Sequence, residues 1–69
     1  MMIMIPVKSS TILFVGYDEE THKMRVEFQT STYEYEDVEP ECFKSFLKSD
    51  SKGTFLNEYI RGKYNYKRV

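Results

Sequence analysis

The chain has 69 residues, 41% of them hydrophobic and 16% aromatic, and a net charge of −1. That length allows one domain, residues 1–69, and its composition excludes a disordered chain. No apolar run approaches the ~20 residues of a membrane span, and one cysteine, Cys42, excludes an internal disulfide.

A reduced, cytoplasmic setting is the matching expectation. The small net charge hides a division. Residues 1–42 carry three basic and nine acidic side chains, whereas residues 43–69 carry seven basic and two acidic ones. Two solvated faces that attract each other on folding are the plain reading of that division; a basic face with an anionic partner is the functional one.

In chain order, "MMIMIPV" (1–7) is apolar but lacks the basic flank of a signal peptide and is too short for one. A strand or capping arm is expected there. "TILFVGY" (11–17) alternates so that Leu13, Val15 and Tyr17 share a face, which sends Ile12 and Phe14 to the other. "KMRVEFQ" (23–29) sets Met24, Val26 and Phe28 against Arg25, Glu27 and Gln29, and "TYEYEDV" (32–38) sets Tyr33 and Tyr35 against Glu34 and Glu36. The links "DEETH" and "TS" are short, so the three strands form an antiparallel meander.

The period then changes. "EPECFKSFLKSD" (39–50) has Pro40 at a first helical position and Phe43, Phe46 and Leu47 at helical spacing. "SKGTFLNEYIRG" (51–62) repeats the plan, with Ser49, Asp50 or Ser51 as N-cap, Phe55, Leu56, Tyr59 and Ile60 as the apolar stripe, and Gly62 as the stop. "KYNYKRV" reads as extended. The expected class is α+β: a three-stranded antiparallel meander and two short helices on one sheet face (β-β-β-α-α), with room for an extra strand from the arm or the tail.

The order "PVKSSTI", "VGYD", "YEY", "SKGTF" and "GKYNY" resembles the KTSC domain family across residues 5–66. Its members are small domains that occur alone in bacterial proteins and at the C-terminus of some lysyl-tRNA synthetases. The resemblance implies no catalytic residues, and it implies RNA binding only by association with the synthetases.

The residues themselves offer three places for such a function. Tyr33 and Tyr35 would stack bases if they faced solvent. An even turn between the second and third strands puts them instead on the face of Met24 and Phe28, beneath the helices. Thr30-Ser31 is a poor type I′ turn, so a longer loop stays open. Lys52 and Gly53 precede a helix, where unpaired N–H groups suit an anion; an ordinary N-cap with a turn glycine is the alternative. The tail mixes Arg61, Lys63, Lys67 and Arg68 with Tyr64 and Tyr66, cations for phosphates and rings for bases. Packing of the two tyrosines against the sheet is compatible with that reading.

Catalysis has little to draw on. His22 and Cys42 are single, nothing in the sequence brings them together, and no zinc or calcium spacing is present. The expectation is a non-enzymatic, cofactor-free RNA-binding accessory module, with RNA contacts at Lys52, Gly53, Arg61, Lys63, Tyr64, Tyr66, Lys67 and Arg68. The alternative is a protein-interaction or homo-oligomerisation module. It would use Ile12, Phe14 and the acidic face formed by Glu34, Glu36, Asp37, Glu39 and Glu41.

Overall fold

A computed structural model describes residues 2–69; Met1, part of the expected arm, lies outside them. The alternating segments form strands β1 (Ile3–Pro6), β2 (Ile12–Asp18), β3 (Lys23–Phe28) and β4 (Thr32–Tyr35), and the tail adds β5 (Tyr66–Arg68). All five pair antiparallel in chain order, so the arm and the tail form the two edges of one sheet. Helix α1 (Pro40–Lys48) and the short helix α2 (Lys52–Phe55) sit between β4 and β5 in sequence and complete an α+β domain. No helix among the described residues is long and apolar enough to cross a membrane.

Register gives the sheet two faces. Tyr17, Met24, Tyr35 and Tyr66 form one cross-strand row on the inner face, with Val15, Val26, Tyr33 and Arg68 in the next. The reverse face carries Gly16, Arg25, Glu34 and Lys67. Buried inner-face residues join Val38, Phe46, Leu56 and Ile60 in one core, so apolar burial fixes both the strand faces and the helix orientation.

One expected face is corrected. A bulge between Ile12 and Phe14 lets Ile12 oppose Phe28 while Phe14 opposes Glu27. The extra residue, Leu13, breaks the period of two. Ile12 is therefore fully buried and Leu13 is 37% exposed, the reverse of the strict alternation. Phe14 does lie on the reverse face, opposite Pro6 of β1.

The β3–β4 turn holds Gln29 and Thr30: Phe28 N–H donates to Ser31 O, and Glu27 opposes Thr32. Neither turn residue has a positive φ, so it is no type I′ turn, but its even count puts Tyr33 and Tyr35 on the inner face as expected. The strand ends early, at Tyr35. Asp37 takes a left-handed φ of 58°, and Val38 N–H donates to His22 O.

Pro40 starts α1, and Ser49 ends it by donating from both N–H and Oγ to Phe46 O. Ser51 caps α2, accepting from Thr54 N–H. The second helix is shorter than expected because it widens into a π turn over Leu56–Ile60, closed by Arg61 N–H donating to Leu56 O. Leu56 and Ile60 are buried, whereas Tyr59, expected in the same stripe, is half exposed. Gly62, at φ 83°, then reverses the chain toward β5.

Candidate nucleic-acid interface

The helices do not cover the whole inner face. Over β4 and β5 the sheet stays open as a cleft of about 500 Å³, lined by Phe28, Tyr33, Tyr35, Tyr66, Arg61 and Gly62 together with Ser31. Its floor is aromatic. Phe28 meets Tyr33 edge-on at 6.0 Å, and Tyr66 touches Tyr33 edge-on at 5.6 Å and Tyr35 at 5.7 Å. Tyr35 is buried, whereas Tyr66 remains 60% exposed.

One arginine, Arg61, lines this cleft, and a second, Arg68, lies on the same sheet face. Arg61 Nη1 donates to Asn57 Oδ1 at 3.0 Å, which steadies the guanidinium at the end of the π turn. Burial pushes the Tyr35 hydroxyl pKa up, and the charge of nearby Arg61 opposes that shift. Arg68 pairs with Tyr33 across the β4–β5 ladder, and its Nη2 reaches Thr30 O at 3.5 Å. None of the cleft-lining residues is acidic.

The other expected contacts lie apart from it. Lys67 points to the reverse face, in the row of Glu34. There the buried Glu34 carboxylate accepts from Arg25 Nη2 at 2.7 Å, with Lys23 Nζ 3.8 Å away. Lys63 Nζ stands 5.9 Å above the centre of the Tyr59 ring. Tyr64 is partly buried against the core, and its hydroxyl donates to Glu39 Oε2 at 2.8 Å. That bond is the leading cause of the raised Tyr64 pKa.

Lys52 and Gly53 line a separate polar cleft of about 440 Å³ with Lys8, Ser9, Thr11 and Ser51. Lys52 Nζ donates to Leu47 O and Ser49 O, at 3.0 and 2.8 Å, so its charge first serves the carbonyl end of α1. The eight expected residues thus divide: Arg61 and Tyr66 line the cleft, Arg68 lies on the same sheet face in the next row, Lys52 and Gly53 form a second place, and Lys63, Tyr64 and Lys67 lie apart from both.

Sequence reasoning placed the Tyr33–Tyr35 pair under the helices and did not include it, Phe28 or Ser31 in a site. The available signal was register: residues 33 and 35 share a face with 66 and 68 once the tail is a strand. The alternative surface also changes. Ile12 is buried and has no face for a partner. Phe14 keeps 38% exposure on the reverse face, and further exposed apolar area lies on β1, where Ile3 is 71% and Ile5 42% exposed beside Glu19 and Glu20.

His22 N–H donates to Asp18 O in the β2–β3 turn, and Cys42 lies beside the Tyr64 hydroxyl.

A five-stranded antiparallel sheet in chain order, with two short helices packed on part of one face, defines the class. The KTSC domain matches residues 8–64, and the chain belongs to that family. An uncharacterized protein of Stutzerimonas stutzeri is 34% identical over 67 residues, covering 94% of each chain. A lysine–tRNA ligase of Nostoc punctiforme is 30% identical over 63 residues, which cover 90% of this chain and 11% of that protein. The crystal structure of a KTSC domain protein from Yersinia pestis superposes with a TM-score of 0.97 at 33% identity, covering 100% of this chain and 99% of that one.

Proposed function

We propose that this domain is a non-enzymatic, cytoplasmic RNA-binding accessory module that contacts the phosphate backbone through its basic C-terminal half. The observation that carries this reading is a carboxylate-free aromatic cleft with Arg61 in its lining and Arg68 one cross-strand row from Tyr66 on the same sheet face. Guanidinium groups bind phosphate with two parallel donors, and rings beside them hold bases, so the two chemistries a nucleic acid needs lie together. The similarity to a segment of a lysine–tRNA ligase supports RNA over other polyanions. As a fused segment such a domain raises affinity by effective concentration, so weak binding on its own suffices.

Salt dependence tests it. Binding of labelled bulk tRNA should weaken with salt at a slope of about −0.7 per single-strand phosphate contact. Arg61→Ala and Arg68→Ala should each make that slope shallower by about one contact. A slope that is unchanged in both variants refutes the assignment of those arginines.

The exposed Ile3 and Ile5 on the open edge of β1 favour a second reading, a protein-interaction module. Concentration-dependent sedimentation that Ile3→Lys abolishes would support self-association there; a monomer at all concentrations would count against it.

A further inference from the structure

We propose that the cleft over β4 and β5 is a nucleobase pocket, which receives one unpaired base against Tyr66 with the Arg61 guanidinium beside it. This inference rests on the RNA-binding reading and specifies which part of an RNA the domain takes. Tyr66 is the central observation. Two ring contacts, at 5.6 Å to Tyr33 and 5.7 Å to Tyr35, brace it, yet 60% of it stays in solvent. A ring that is fixed but uncovered is a prepared stacking surface, because little side-chain freedom remains to be lost on binding.

The surroundings suit a flat, polar-edged aromatic ligand better than an aliphatic one. Phe28 and Tyr33 supply further ring area, while Ser31 and Arg61 place hydrogen-bonding groups at the rim. With no carboxylate in the lining, nothing there repels the phosphate attached to the base. Arg68 lies one cross-strand row away from Tyr66, so a neighbouring phosphate has a cation along the same face.

The need for a free base face selects the form of the RNA. Bases inside a duplex are paired and stacked on each other and cannot enter a cleft, whereas those of loops and single strands can. The domain therefore prefers unpaired RNA to duplex of the same sequence.

The test uses the full chain and a short labelled RNA of mixed sequence, single-stranded or annealed to its complement, with binding read by fluorescence anisotropy. The single strand should bind more tightly than the duplex. Tyr66→Ala should weaken it by about five- to a hundredfold, the usual range for loss of one base–aromatic stack. Tyr66→Phe, which keeps the ring, should bind as the parent does. Amide spectra of both variants establish that they are folded. In parallel, adenosine 5′-monophosphate should shift the ring protons of Tyr66 and Tyr33, and ribose 5-phosphate should not.

If RNA binds but Tyr66→Ala binds equally well, the pocket is refuted and the RNA-binding reading stands. Equal affinity for duplex and single strand refutes the pocket as well. If neither RNA binds the parent chain, both fall together.

Discussion

The hydroxyl of Tyr64 donates to Oε2 of Glu39 at 2.8 Å, and so ties the turn before β5 to the N-cap residue of α1. Twenty-five residues separate the two in sequence. Next to it, Glu36 N–H donates to Asn65 O at the start of β5, the strand that carries Tyr66 into the cleft lining.

The Tyr64–Glu39 bond gives stability a pH window. Chiefly because Tyr64 donates to it, the Glu39 carboxyl is held below its ordinary range. A lowered folded-state pKa contributes stability that is present above the unfolded value and is lost as pH falls through the folded one. Tyr64 is shifted the other way, raised first by the same bond and then by burial. Its contribution is present below the ordinary tyrosine pKa of about 10 and is lost as pH rises beyond it. Tyr64→Phe should therefore flatten the stability profile both below about pH 4 and above about pH 10. Urea denaturation across pH measures this, and parallel profiles for parent and variant would show that the bond contributes nothing.

Phe46 is fully buried, with Phe43 stacked at 6.4 Å and Phe55 edge-on at 5.9 Å. Phe46→Ala should cost about 3–5 kcal/mol through lost transfer energy and the remaining cavity. A domain of this size holds roughly 3–10 kcal/mol in total. The variant should lack most of its cooperative thermal transition by circular dichroism; a melt like the parent's would show that α1 presents another face to the sheet.

Gly16 marks how closely β1 lies on β2. A Cβ at this position would stand 2.6 Å from Met4 Sδ and 3.0 Å from Ile3 O. The methionine can swing aside, but the carbonyl moves only with its strand. Gly16→Ala should cost about 1–3 kcal/mol as an overpacked contact and should accelerate amide exchange selectively in β1. Uniform exchange in all five strands would contradict this account of the β1–β2 contact.

The meander and α1 were legible because each repeats one period long enough to read. Met24, Val26 and Phe28 alternate, Phe43, Phe46 and Leu47 follow helical spacing, and Pro40 supplies the start. The bulge at Leu13 was not legible, since one inserted residue inverts a face without changing composition. The π turn after Phe55 hid for the same reason: it keeps the apolar residues of a helix and alters only their phase. β5 has three residues, too few for a period, and owes its place to pairing with β4.

Of the site, the tail residues Arg61, Tyr66 and Arg68 were visible as a mixture of cations and rings. The Tyr33–Tyr35 half was not. Face assignment correctly put that pair on the helical side of the sheet, but the helices leave the β4–β5 end of that side uncovered. Coverage is a property of helix length and placement, which neither alternation nor charge reports.

Titration of the amide spectrum with bulk tRNA at low and at moderate salt tests the central claim most directly. Shifts are expected at residues 28–35 and 61–68 and should fade as salt rises, because arginine–phosphate contacts release counterions. Absence of shifts at low salt, or shifts confined to the reverse face and β1, would contradict it.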